Sequence, residues 1–190
     1  MLFNSPEFIF IFMPIVLLFA SLAQNYINKE ANIYIIILSS IFFYGFWDTY
    51  YIPLLLGSVL FNFLIHKKIK DNRMLITGLI INISVLLFFK YTNFFIDNLS
   101  MILDKNFTNY NIGLPLAISF FTFQQIAFLV DSYKNKTTKF SFHEYILFII
   151  FFPQLIAGPI VRFHQFIPQL QSRKLNISLE NFSIGIVIFS

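Results

Sequence analysis

The chain has 190 residues, 57% of them hydrophobic and only 12% charged, with a mean hydropathy of +0.74. Soluble domains carry about a quarter charged residues, so this composition excludes an ordinary globular domain, a disordered chain and a nucleic-acid module, and points to an integral membrane protein. The absence of Cys excludes disulfides, thiol catalysis and Cys-ligated metal, and the net charge of +4 takes its meaning from where the charges lie.

A helix needs about 20 apolar residues to cross roughly 30 Å of hydrocarbon. In chain order, apolar runs predict spans over 8–28, 31–47, 49–65, 74–96 and 112–130. The first has no Lys or Arg before residue 29, so it reads as a retained helix rather than a signal peptide. A sixth run, 145–161, holds Pro153, Gly158 and Pro159, which predicts a broken or re-entrant segment. A further apolar segment starts within 182–190. The expected fold is all-α, a polytopic transmembrane helix bundle, and the chain reads as the truncated N-terminal portion of a single multi-pass domain.

Charge sets the expected orientation. With the N-terminus extracytoplasmic, alternation puts Lys29, Lys67, Lys68, Lys70, Arg73, Lys134, Lys136 and Lys139 inside, eight of the 13 Lys and Arg. Arg162, Arg173 and Lys174 join them if 145–161 dips in and returns. The basic loops are explained by topology and by anionic lipid headgroups, so no nucleic-acid partner is needed.

On a helical wheel, Ser119, Thr122 and Gln125 fall within an arc of about 120°, while Gln124 and Asp131 lie on the far side, about 20° apart. A helix polar on both sides belongs inside a bundle, where such residues either bond neighbouring helices or line a substrate path. Ser40, Tyr44 and Asp48 share a face of the second span, Gly78 and Asn82 share a face of the fourth, and Gly57 reads as a packing residue in the third. His66, His143 (which precedes Glu144 in a polar loop) and His164 have neither metal-ligand spacing nor an obvious orienting carboxylate in sequence, so no metal site is expected. No P-loop, GxGxxG or GxSxG motif is present.

Two stretches go further. Gly113-Leu114-Pro115-Leu116-Ala117-Ile118-Ser119-Phe120-Phe121-Thr122-Phe123-Gln124-Gln125, with Asp131 and Tyr133 after it, resembles a signature of the membrane-bound O-acyltransferase family. Phe151-Phe152-Pro153-Gln154-Leu155-Ile156-Ala157-Gly158-Pro159-Ile160-Val161-Arg162 resembles the companion signature. Phe42 to Asp48 and Phe88 to Tyr91 are similar to the bacterial branch that O-acetylates cell-surface polysaccharides, including alginate, and peptidoglycan.

That resemblance implies a bundle around a tunnel. An acyl donor, acetyl-CoA as co-substrate with no bound cofactor, enters from the cytoplasm, and the acetyl group passes to a cell-surface glycan hydroxyl. A secreted esterase-like acetyltransferase is an implied partner, beside the lipid bilayer itself. The location implied is the bacterial cytoplasmic membrane. The family's catalytic His lies in its second half, so no catalytic residue is expected in this span. Ser119, Thr122, Gln124, Gln125, Pro153, Gln154, Gly158 and Pro159 are the expected tunnel residues, Arg162 a contact for the donor's phosphates, and Asp131 and Tyr133 structural polar residues. Two other readings fit the spans alone: a transporter or flippase of lipid-linked sugars, and a non-catalytic membrane subunit of an acetylation complex.

Overall fold

The computed structural model describes residues 5–26, 29–103, 112–134, 139–155, 158 and 161–172. Pro159 and the apolar segment 182–190 lie outside the described residues. The elements are all helical: a π-helical turn Phe8–Phe12 leading into α1 (Met13–Tyr26), then α2 (Lys29–Asp48), α3 (Ile52–Lys67), α4 (Asn72–Leu103), α5 (Ile118–Tyr133), α6 (Phe142–Ile150), α7 (Phe152–Leu155) and α8 (Phe163–Ser172). Among the described residues there is no strand.

Among the described residues, three helical stretches are long and apolar enough to cross a membrane: Phe8–Tyr26, Glu30–Lys67 and Asn72–Leu103. The chain is a membrane protein. The second stretch holds 38 residues, which at 1.5 Å per residue is about 57 Å, nearly two hydrocarbon thicknesses. It is divided at Asp48, whose backbone is extended (φ −157°, ψ 96°) and whose carboxylate accepts the N–H of Tyr50 at 3.0 Å. A single 3-10 turn, Thr49–Tyr51, follows, and Pro53 sits in the first turn of α3, where its missing N–H costs nothing.

α4 is 32 residues long, about 48 Å. Only Gly78, Asn82 and Leu86 of it are buried, one residue per turn on one face. Leu75, Val85 and Phe89 are half-buried against the core, and much of the remainder, including Ile80, Leu87 and Phe94, is exposed on the outside of the bundle. Apolar exposure of this kind has no cost in hydrocarbon, and the hydrophobic effect does not drive helices together there. Close packing and polar contacts do. Gly78 supplies the first: Leu129 of α5 packs so near it that a Cβ on Gly78 would stand 2.7 Å from Leu129 Cδ1. Gly57 differs, because no atom outside its own helix backbone lies within 4 Å of its Cβ position, so it is not a packing seam.

The interior is built on α5 and α6. α6 packs against α2, α3, α5, α7 and α8. Its Tyr145, Leu147, Phe148, Ile149 and Ile150 are all buried, together with Ile118, Phe121, Phe128 and Leu129 of α5 and Phe163 and Ile167 of α8. A second, smaller cluster closes the other end of the broken segment. There Phe152 meets Phe8 (6.0 Å), Phe12 (5.3 Å) and Phe43 (5.6 Å) between ring centroids.

Candidate functional site

The stretch that opens the first signature, Ile112 to Ala117, is not helical. Backbone outside a helix must find partners when water is absent. Asn93 of α4 clamps Ile112 from both sides, donating to its carbonyl at 2.9 Å and accepting its N–H at 3.1 Å. The Tyr51 hydroxyl donates to the carbonyl of Gly113 at 2.7 Å, and the Tyr44 hydroxyl donates to that of Leu116 at 3.3 Å. The stretch ends at Ala117, in the left-handed region (φ 55°, ψ 20°), which turns the chain into α5. Beside it lies a groove of about 660 Å³, lined by Tyr50, Tyr51, Pro53, Leu54, Phe88 and Phe89 together with Ile112 and Gly113.

α5 presents polar groups to opposite neighbours. Gln125, 0% exposed, joins a network with α3 and α4. Its Oε1 accepts from Asn62 Nδ2 at 2.5 Å, and its Nε2 donates to Ser58 Oγ at 3.1 Å. Asn62 Nδ2 also donates to Asn82 Oδ1 at 3.1 Å, and Asn82 Nδ2 donates to Asn62 Oδ1 at 2.7 Å and to the carbonyl of Gly78 at 2.7 Å. Both amide atoms of Gln125 are therefore spent on protein. Thr122 is buried on the same helix and Ser119 half-buried.

Gln124 faces the other way. Its Nε2 donates to the carbonyl of Phe148 in α6 at 2.9 Å. That carbonyl needs a donor because α6 stops. Phe151 takes φ −52° and ψ 107°, so the N–H of Phe152 does not return to Phe148. It donates to Ser40 Oγ of α2, at 3.2 Å. Thus the one helical hydrogen bond lost between residues 148 and 152 is replaced on both sides, by Gln124 and by Ser40. α7 then resumes with the N–H of Gln154 on the carbonyl of Phe151 at 3.0 Å.

The other expected site residues divide by exposure. Gln154 is buried, Gly158 half-buried, and Pro153 and Arg162 exposed. Gly158 returns its N–H to the carbonyl of Gln154 at 3.1 Å, and a Cβ there would lie 2.7 Å from Gln154 Cα. Only glycine permits that approach. Arg162 heads α8, its carbonyl accepting from the N–H groups of Gln165 and Phe166. Tyr133 is exposed, whereas Asp131 is buried with its Oδ2 3.5 Å from His164 Nδ1. So the fold supplies His164 with the carboxylate that its sequence neighbourhood lacks. His66 instead lies among rings, 5.1 Å from Phe128 and 5.0 Å from Phe140 between centroids. Among the described residues no three His, Asp or Glu side chains gather as metal ligands.

Sequence reasoning passed over Asn62, Asn93, Ser58 and Tyr51. A lone Asn in an apolar span was the available signal for the first, since such an amide must find an intramembrane partner.

The chain matches no family-wide sequence profile, and no solved structure matches it. Curated relatives do. It is 40% identical over its whole length to peptidoglycan O-acetyltransferase of Helicobacter pylori. It is 32% identical over 91% of its length to probable alginate O-acetylase AlgI of Pseudomonas aeruginosa, and 31% identical over all of it to the same-named protein of Pseudomonas putida. The chain spans 42%, 35% and 40% of those three proteins respectively. The resemblance carried by the two signatures is therefore part of a similarity that runs along the whole chain to a bacterial peptidoglycan O-acetyltransferase and to probable alginate O-acetylases.

Proposed function

We propose that the protein carrying this chain moves an acetyl group from a cytoplasmic thioester, acetyl-CoA, to hydroxyls of a cell-surface glycan, with peptidoglycan the acceptor favoured. The observation that carries this reading is the 40% identity along the whole chain to a peptidoglycan O-acetyltransferase, against 28–32% to the alginate O-acetylases. The setting is the bacterial cytoplasmic membrane with an extracytoplasmic N-terminus, supported by the distribution of Lys and Arg. A secreted esterase-like acetyltransferase is the partner we propose for the outer face.

Within this reading the described helices build part of the tunnel. Gln125 braces it through Asn62 and Asn82. The break at Phe151 and the α7 turn form its wall, and Gln124 holds that wall in place. Arg162, exposed at the head of α8, is the proposed contact for the donor's phosphates, since a guanidinium suits phosphate geometry.

The test uses the full coding sequence that contains these 190 residues, expressed in a strain lacking glycan O-acetylation. Membranes supplied with radiolabelled acetyl-CoA are expected to yield base-labile acetate on glycan. Glycan without label, from a protein at normal abundance, sinks the acetyltransferase reading. Gln125→Ala and Arg162→Ala then test the tunnel: wild-type rates at normal expression in both variants remove these residues from it.

A further inference from the structure

The break between α6 and α7 takes the helical donors away from two backbone carbonyls, those of Ile149 and Ile150. Pro153 has no N–H, so the carbonyl of Ile149 receives no helical bond from it. The N–H of Gln154 goes to the carbonyl of Phe151 rather than to that of Ile150. The N–H of Phe152 is taken by Ser40, and the carbonyl of Phe148 is served by Gln124 Nε2. The other end of that same amide, Gln124 Oε1, is buried and accepts no hydrogen bond among the described residues. Gln124 is 1% exposed, as is Ile149, and Ile150 is 0% exposed.

Two backbone carbonyls and one side-chain carbonyl thus belong to a single helix end and to the amide bonded to it. Buried acceptors without donors are costly, the more so in a bilayer, where water does not compensate them. The amide orientation is fixed, because its Nε2 must face the carbonyl of Phe148. Oε1 is therefore committed as an acceptor. The set offers no cation and no spare N–H, so it repels anions and suits a group that donates.

We propose that this break is a binding site for a neutral hydrogen-bond donor, an N–H or O–H group, with Gln124 Oε1 as its side-chain acceptor. Water satisfies that chemistry, and so does the amide N–H of the acyl donor's pantetheine arm. The choice of the arm as ligand rests on the acetyl-transfer reading, whereas the acceptor site itself does not.

The experiment is a high-resolution map of the full-length protein in lipid nanodiscs, with and without pantetheine, which has amides and no phosphate. Wild type is expected to show ordered density within hydrogen-bond distance of Gln124 Oε1, as a lone peak without pantetheine and as continuous density with it. Gln124→Met, similar in length but without the amide, is expected to lose the density and about tenfold in pantetheine affinity, the equivalent of one lost hydrogen bond. A dry break in wild type under both conditions overturns the proposal, and the wild-type maps decide this even if the variant does not fold. A lone peak unchanged by pantetheine keeps the acceptor site and overturns the arm as its ligand. Density at Gln124 in a protein that fails to acetylate glycan sinks the acetyltransferase reading alone.

Discussion

Ser40 accepts the backbone N–H of Phe152 at 3.2 Å, across 112 positions of sequence. The same hydroxyl donates to the carbonyl of Ile36 at 2.8 Å, one turn back in α2, which fixes its lone pairs toward the break. Ser40 is 0% exposed, so no water stands ready to replace it. Ser40→Ala should cost about 1–3 kcal/mol by stranding a buried N–H. Ser40→Thr keeps the oxygen and should cost less. Thermal unfolding in detergent gives the stability, and hydrogen exchange gives the place. Exchange confined to 151–155 is expected to rise in the alanine variant. Unchanged protection there rules out the hydrogen bond as a staple of the break.

The Asn62, Asn82 and Gln125 amides tie three helices together, and the members share partners. Interhelical hydrogen bonds in membranes average about 0.6 kcal/mol and reach about 1.7, so each of Asn62→Leu and Asn82→Leu should fall near or somewhat above that upper figure by breaking several at once. Asn62 makes more of these contacts, so its variant should be the worse of the two. The double variant should cost less than the sum, with a coupling of about 1 kcal/mol, because the second change removes a partner already lost. Additive losses in a double-mutant cycle mean that the amides act separately.

Ala117 holds a left-handed backbone at the entry to α5. For an L-residue that costs about 1–2 kcal/mol, and glycine removes the strain while losing some chain entropy. Ala117→Gly should therefore leave the melting temperature unchanged or raise it. Ala117→Val adds β-branching to the same φ and should destabilise by more than about 2 kcal/mol. Equal melting temperatures for the two variants contradict the strained geometry.

What the sequence made legible is what bilayer physics writes in one dimension. That the chain is a run of apolar helices can be read from hydropathy, and that the run after Tyr145 is interrupted can be read from Pro153. So can the two-sided polarity of α5: Gln125 and Gln124 project about 100° apart on the wheel, and they bond different neighbours, Asn62 of α3 and the carbonyl of Phe148 in α6. Identity of partners was not legible, because it depends on the register between helices. Nothing near His164 in sequence suggests Asp131, and nothing near Phe152 suggests Ser40. Helix ends were misjudged for a related reason. Apolar counting ends the fourth span near 96, yet α4 continues through Asp97 and Asn98 to Leu103, since a helix needs apolar residues only where it meets hydrocarbon.

Three glycines should answer the same change to alanine in three ways. Gly57 has open space at its Cβ position, so Gly57→Ala should be neutral or stabilise α3 by about 0.5–1 kcal/mol through helix propensity. Gly78 meets the end of the Leu129 side chain at 2.7 Å and Ile65 Cγ2 at 3.2 Å. Leu129 is 0% exposed and has little room to turn, so Gly78→Ala should push α4 from α5 at a cost of about 1–3 kcal/mol. Gly158 meets backbone, with Gln154 Cα at 2.7 Å and the Gln154 carbonyl oxygen at 2.9 Å. A side chain can rotate away from a new methyl group, but a hydrogen-bonded backbone turn cannot without breaking. Gly158→Ala should therefore be the most damaging of the three, opening the bond from its own N–H to Gln154. Melting temperatures in the order Gly57→Ala, Gly78→Ala, Gly158→Ala, highest to lowest, are expected. A Gly158→Ala variant as stable as Gly57→Ala shows that the turn after α7 is not packed this closely.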